Sequence, residues 1–385
     1  MSARVRVNPH DTPAPGYKAR LRSEWVLECA DGTAIDLNEV LVLLEAVDDM
    51  GSIAEACRLA KVSYRHGWGV LRAAEQQLRC TLIETSRRRG STLTPFARQL
   101  IWANRRVHAR LAPTLESMSS ELQEELDRFM PGADLRLKLH ASHGFAVEGL
   151  LQLANEQGRL PIELRYRTGS EALVALAQGE CHLAGFQVPV GVFEGRLLRD
   201  HAGALDPDRH CLVNLSTRKT GLIVQAGNPL GITSVADLAR NGIRFVNRQK
   251  GSSTRSLVDY MFEQEGIDPT RVRGYETSEF THMAIAAHVA SGIADVGIGI
   301  QTAAWRFGLD FVPLVQERYF LAANKHEMSL PAIQAFLHLL ADADYRDYMS
   351  HLVGYDASAL GSVQSVHEAF PDSFHEAFKT PALGL

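Results

Sequence analysis

At 385 residues, 45% hydrophobic and 22% charged, the chain has room for two or three globular domains. No apolar run approaches the roughly 20 residues that cross a bilayer, and the first residues, with Arg4, Arg6, Asn8 and His10, lack the apolar segment of a signal peptide, so a cytoplasmic protein with no membrane partner is expected. The net charge of −5 is unevenly spread: residues 37–110 carry +5 and the remainder −10, which argues against a uniformly basic chain and for a cationic module on an acidic body. Five cysteines, odd in number and without a CxxC pair, fit reduced thiols rather than a disulfide framework.

Residues 1–19 hold several Pro, Asp and Asn without periodicity and read as a flexible arm. Residues 20–36 suggest two short strands around the turn Asp31-Gly32. Leu37 to Asp49 is amphipathic through Val40, Leu43, Leu44 and Val47, giving a first helix. Ser52, with Glu55 three residues later, forms a capping box that starts a second helix. After a turn at Lys61-Val62, Ser63 caps a third, on which Gly67, Val70, Leu71, Ala74 and Leu78 face inward while Tyr64, Arg65, His66, Trp68 and Arg72 face outward. The β-prone residues Thr81 to Ile83 and those around Leu93 flank Arg87, Arg88, Arg89 and Gly90, as two strands flank a basic tip. Guanidinium groups there pair with phosphates and release condensed counterions. In order, these pieces make a winged helix-turn-helix over 20–94, with double-stranded DNA as its expected partner and the third helix as its reader.

Pro95 opens a long helical pattern running to about Phe129, with an apolar stripe that includes Leu100, Leu111, Met118, Leu122 and Leu126. A stripe of that length predicts a linker and dimerisation helix over 95–131, covered by a second copy in a homodimer; packing back onto its own body is the alternative. Pro131-Gly132 marks its end.

From Asp134 onward strands alternate with helices: strands at 135–140, 162–167, 183–188, 243–246, 272–275 and 296–300, helices at 145–157, 170–178, 254–265 and 281–291. Such alternation builds parallel sheets, and two sets of it predict an α/β domain over 132–361 with two lobes, lobe I at about 134–190 and 317–361, lobe II at about 220–316. Helices at 330–341 and 345–353 close it, and 362–385 is a tail of unassigned role.

Ligands of open α/β lobes sit beyond the strand ends, where helix N-termini aim N–H groups at one point. There the first lobe offers Ser142, His143, Thr168, Gly169 and Ser170, and the second Arg248, Gly251, Ser252, Ser253, Thr254 and Arg255, followed by Glu279, Thr281 and His282. Hydroxyls, a glycine for close backbone approach and one or two arginines predict a cradle for a small anion. Glu279 is the exception, since a carboxylate repels an anion unless it pairs with an arginine or faces a protonated ligand. No Cys or carboxylate stands at metal-ligand spacing beside His143 or His282, and no nucleophile has a placed base, so neither metal, cofactor nor enzyme activity is expected.

GSIAEAC from Gly51, SYRHGW from Ser63 and LTPFARQL from Leu93 resemble the N-terminal domain of ModE-type molybdate regulators and, more loosely, of LysR-type regulators. RFVNRQKGSSTRSLVDYMF from Arg244 and ETSEFTHMAIAAHVASGIADVGIGIQTAA from Glu276 resemble the periplasmic-binding-protein-like domain of molybdate-related regulators. The small β-barrel domains of ModE have no counterpart. The resemblance implies a transcriptional regulator that assembles as dimers pairing into homotetramers and answers to an oxyanion such as molybdate or tungstate; sulfate or a small carboxylate such as formate suits the same cradle. A cytoplasmic oxyanion carrier, using its N-terminal module for protein contacts, is the competing reading.

Overall fold

The computed structural model describes residues 19–28, 32, 34–86, 90–127, 136–158 and 160–378. Strands β1 (Val26–Glu28) and β2 (Ala34–Asp36) pair antiparallel and precede three helices, α1 (Asn38–Met50), α2 (Ile53–Leu59) and α3 (Tyr64–Leu78). Gly51, at φ 65°, ends α1 in the left-handed conformation that glycine adopts without a steric penalty. The Ser52 and Ser63 hydroxyls accept from the N–H groups of Glu55 and His66 and start α2 and α3. Leu43, Leu44, Val47, Ile53, Ala56, Cys57, Leu71 and Ala74 share one core. Strands β3 (Ile83–Ser86) and β4 (Gly90–Leu93) follow as an antiparallel hairpin, so three helices and a hairpin stand in the order read from the sequence. Arg87, Arg88 and Arg89 lie outside the described residues.

Close crossing of α2 and α3 depends on Gly67, where a Cβ would stand 2.5 Å from Cys57 Sγ. Gly67→Ala is therefore expected to destabilise the N-terminal module by about 1–3 kcal/mol through overpacking. Thermal unfolding followed by circular dichroism checks this; an unchanged or raised midpoint contradicts it.

Helix α4 (Pro95–Asp127) is capped by Thr94, whose hydroxyl accepts from Ala97 N–H. Its first turns belong to the N-terminal core through buried Ala97 and Ile101. The rest runs over the body, against a lobe I strand and a lobe II helix, so α4 packs on its own chain. Leu111, Met118, Leu122 and Leu126 remain exposed along it.

The body starts with β5 (Leu137–Ala141), α5 (Phe145–Gln157), β6 (Ile162–Tyr166), α6 (Gly169–Ala177), β7 (Leu183–Pro189) and α7 (Glu194–His201). Strand β8 (His210–Val224) leads into β9 (Phe245–Arg248), α8 (Ser253–Gln264), β10 (Ser278–Glu279), α9 (His282–Ala290), β11 (Val296–Ile300) and α10 (Gln301–Arg306). The chain returns along β12 (Asp310–Asn324) and closes with α11 (Pro331–Leu340), α12 (Ala343–Ser350), β13 (Tyr355–Asp356), β14 (Val363–Ser365), α13 (Val366–Ala369) and α14 (Phe374–Phe378).

One sheet, ordered β10-β9-β11-β8-β12-β7-β5-β6, runs through both lobes. Strands β5, β6 and β7 are parallel in lobe I, and β9, β10 and β11 in lobe II. The two 15-residue strands β8 and β12 join them, antiparallel along their whole length from Asp310↔Val224 to Asn324↔His210. The hinge is thus a continuous ladder, with two register irregularities in it. At Gly221 a Cβ would stand 2.1 Å from Val312 O, so only glycine fits that crossing.

The structure corrects the sequence reading in two places. Residues 272–275 form turns, and the edge strand is β10 instead, because Phe245 N–H bonds Arg273 O and Asn247 N–H bonds Thr277 O along an irregular path. Residues 363–378 also join the body: β14 pairs with β8, and Val366, Ala369, Phe370 and Ala377 are buried with Phe186 and Phe320.

Candidate anion site between the lobes

Four strand ends meet four helix starts where the lobes face each other. Ser142 and His143 lie between β5 and α5, Arg167 and Thr168 between β6 and α6, Gln249 and Ser252 between β9 and α8, and Phe280 between β10 and α9. Thr168, Ser252 and Thr281 cap their helices by accepting N–H bonds from Glu171, Arg255 and Ala284. Four positive helix ends at one point favour negative charge.

The cavity between the touching lobes measures about 10 Å³, room for about one water-sized group. Ser142, His143, Thr168 and Gly169 line it from lobe I; Arg248, Ser252, Ser253, Thr254 and His282 line it from lobe II. The lobes touch there: a Cβ on Gly169 would lie 3.5 Å from Ser253 Oγ, and one on Gly251 3.8 Å from the Thr168 methyl.

Two arginines set the electrostatics. Arg218, on β8, stands directly opposite Glu317 on β12, and its Nε and Nη2 each lie 3.2 Å from Glu317 Oε2, to which Thr220 also donates at 2.6 Å. Both side chains are almost wholly buried. Burial opposes the Arg218 charge, but Glu317 outweighs it and holds the guanidinium above its usual range. Arg248, 4% exposed, has no carboxylate within ion-pair distance among the described residues. Its Nη1 donates to the carbonyls of Glu279 and Phe280, and its Nε has no hydrogen-bond partner. Burial, and then the charge of Arg218, push Arg248 down to about 9. Glu317 and Glu279 favour its charge only from farther off, and a buried cation without a paired carboxylate costs several kcal/mol, which an anion beside it offsets.

The two histidines of the wall are kept neutral. Burial, then Arg248, lowers His143 to about 4; burial, then Arg248 and Arg218, takes His282 well below the usual range. Unfolding frees both to protonate near 6.5, so the unfolded chain binds more protons between about pH 6.5 and 4, and stability falls as pH drops through that window. His143→Gln is expected to shallow the dependence. Denaturant midpoints at neutral pH and about pH 4.5 check it; parallel slopes for both proteins contradict it.

Five of the expected cradle residues do not reach the cavity wall. The Ser170 hydroxyl turns to His201 Nδ1 at 3.4 Å. Gly251, at φ 84°, makes the exposed turn before Ser252. Arg255 points away, ion-paired with Asp259 and stacked 4.0 Å over Tyr275. Glu279 pairs with Arg110 at 3.2 Å and lies 3.5 Å from His288 Nε2, so its charge faces α4. Thr281 donates to Ala109 O at 3.0 Å. Conversely, Arg167, Gln187, Arg218, Gln249 and Phe280 line the cavity without having been singled out. Arg167 and Gln249 flank residues that had been, and position next to a strand end was signal enough to find them. Gln187 and Arg218 sit inside strands and carried no local signal.

On α3, Tyr64 and Arg65 are exposed. His66 bonds Glu39 Oε1 at 2.7 Å. Arg72 pairs with Glu75 at 2.8 Å and stacks 4.5 Å over half-buried Trp68, which Tyr64 flanks. Glu75 also accepts from Leu82 and Ile83 N–H, fixing the hairpin to α3. Ser52 and Ser63 serve as caps.

Residues 150–341 match the model of the PBP superfamily domain. An uncharacterized protein encoded 5′ of a 2Fe-2S ferredoxin gene in Clostridium pasteurianum is 33% identical over 108 residues, 28% of this chain and 96% of that one. The uncharacterized protein YvgK of Bacillus subtilis strain 168 is 36% identical over 203 residues, 52% of this chain; the alignment spans 64% of YvgK. The molybdenum-pterin-binding protein MopB of Rhodobacter capsulatus is 26% identical over 188 residues, 42% of this chain and 70% of MopB. Among solved structures, CbnR, a LysR family transcriptional regulator, superposes with a TM-score of 0.35 at 19% identity, covering 78% of this chain and 98% of CbnR. The chain belongs to one family with the Clostridium protein and carries, over residues 150–341, a PBP superfamily domain.

Proposed function

We propose that this chain is a DNA-binding transcriptional regulator whose operator affinity is set by a small anion held between its lobes. The observation that carries the reading is Arg248: a buried guanidinium with no carboxylate partner among the described residues, on the wall of a cavity ringed by helix N-termini and hydroxyls. Such a wall suits a molybdate- or tungstate-type oxyanion, sulfate, or a small carboxylate such as formate. The name of the MopB relative favours the first pair. We read the site as a binding site: Ser142 accepts from Gln187 Nε2, and Ser252 caps α8 and donates to Gln249 O, so neither of these hydroxyls is hydrogen-bonded to a basic side chain. The exposed Tyr64 and Arg65 on α3 suit contact with a major groove, and the sequence run Arg87 to Arg89 carries guanidinium groups of the kind that pair with phosphates. The exposed stripe Leu111, Met118, Leu122 and Leu126 suits pairing of two copies, and pairs into a tetramer.

The test is fluorescence anisotropy on the DNA upstream of the chain's own gene, with and without molybdate, tungstate, sulfate or formate, alongside calorimetry with each anion. Arg65→Ala is expected to weaken operator binding about 10-fold or more at fixed salt, the cost of one lost base or phosphate contact. An Arg65→Ala protein that retains the operator as well as the parent contradicts the assignment of α3. Calorimetry silent for all four anions contradicts the cleft.

A further inference from the structure

Helix α4 touches both lobes, and it does so on either side of a break in its own hydrogen-bond ladder. Pro113 lies inside the helix and has no N–H, so Ala109 O, four residues earlier, has no intrahelical donor. Thr281 Oγ1 from lobe II supplies one at 3.0 Å. Next to it, Arg110 pairs with Glu279 at 3.2 Å, and nearer the N-terminal module Trp102 stacks on Phe307 with ring centroids 5.6 Å apart. Beyond Pro113 the contacts change lobe: Glu116 accepts from Tyr166 O–H at 2.7 Å, and Ser117 Oγ from Tyr166 N–H at 3.1 Å.

The attachment points at Tyr166, Glu279 and Thr281 each lie within one or two residues of the cavity wall. Tyr166 immediately precedes Arg167 and Thr168, and its ring packs against His143 at 5.1 Å. Glu279 and Thr281 flank Phe280, whose carbonyl, like that of Glu279, accepts from Arg248 Nη1. The lobe contact at Gly169 and Ser253 is thus linked through the cavity wall to the two ends of a short lever, Ala109-Arg110 and Glu116-Ser117, whose middle is the proline. At its other end α4 is part of the core of the N-terminal module, through Ala97 and Ile101 and the bond from Asn104 to Glu45.

We infer that α4 is the reporting element of this protein: closure of the lobes on each other shifts its two attachment points and changes its bend at Pro113, which reorients the N-terminal module. This rests on the anion reading only for what closes the lobes. Lobe II holds the segment before the proline, which continues into the module, and lobe I holds the segment after it. A relative rotation of the lobes therefore has to appear as a change in helix angle, since packed segments are bistable rather than continuously deformable.

The experiment separates the two ideas by closing the lobes without a ligand. In the full chain carrying Gly169→Cys and Ser253→Cys, oxidation joins the lobes at the point where they already touch. Amide hydrogen exchange of residues 105–120 is compared between oxidised and reduced protein, and in the parent chain with and without sodium molybdate. Several-fold slower exchange around Pro113 on oxidation supports the inference, and Thr281→Val in the same background is expected to remove most of that difference. Equal rates in the two redox states overturn it, as does calorimetric binding of molybdate with no change along α4. Slower exchange on oxidation, together with calorimetry silent for molybdate, tungstate, sulfate and formate, supports the lever and counts against the anion reading instead.

Discussion

Replacement of Arg248 by Met is expected to abolish anion binding while leaving the free protein at least as stable as the parent. The guanidinium is 4% exposed, faces the charge of Arg218 and has no carboxylate within ion-pair distance among the described residues, with Glu317 and Glu279 acting on it only from farther off. Removing it costs the hydrogen bonds to the Glu279 and Phe280 carbonyls, about 1 kcal/mol each, but relieves a desolvation penalty of several kcal/mol. In the complex the sign reverses, because truncating one partner of a buried charge pair costs about 3–5 kcal/mol, a loss of at least about 100-fold in affinity. Calorimetry and thermal unfolding, each with and without molybdate, measure both halves. A variant that binds as the parent does removes the basis of the functional reading; one that binds weakly and also melts far lower makes Arg248 a structural residue.

The second large effect is on the neighbouring pair. Glu317→Gln leaves Arg218 buried on the hinge ladder with a neutral partner, and the expected loss is about 3–5 kcal/mol of stability, a drop of roughly 10 °C in Tm for a domain of this size. Glutamine still accepts from Thr220 and Arg218, so the loss reports charge rather than lost hydrogen bonds. The cavity of this variant carries two uncompensated cations, and an added oxyanion is expected to raise its Tm by more than it raises the parent's. Equal melting of the two proteins, or an equal response to molybdate, contradicts this account of Arg218 and Glu317.

These opposite responses explain why the site was half legible. Helix starts announce themselves locally: Ser52, Ser63, Thr168, Ser252 and Thr281 each accept the N–H bond that a serine or threonine before an apolar run suggests. Alternation of strand and helix then put Ser142, His143, Thr168, Gly169, Arg248, Ser252 to Thr254 and His282 at strand ends facing one point. Arg248 and Arg255 looked equivalent on paper, seven residues apart around one turn. Helix geometry separated them: Arg255, buried in α8, turns toward Asp259 one turn on and Tyr275, whereas Arg248 ends β9 and points into the cavity. Glu279 had been the residue out of place in an anion cradle, and its partner Arg110 comes from a helix 169 positions away in the chain.

What the sequence determined by itself follows from interactions between residues a few positions apart: capping bonds, the 3.6-residue and two-residue apolar periods, glycine turns, and the separation of a cationic head from an acidic body. What only the tertiary structure decided depends on residues far apart. Glu317 stands opposite Arg218 because two 15-residue strands run antiparallel through both lobes; residues 363–378 cover the sheet because β14 finds an open edge of β8; and α4 bridges the cleft because Thr281 reaches the carbonyl that Pro113 leaves without a donor. Each pairing is energetically large only after burial removes water from it, and burial is a property of the folded chain, which no window of neighbouring residues contains.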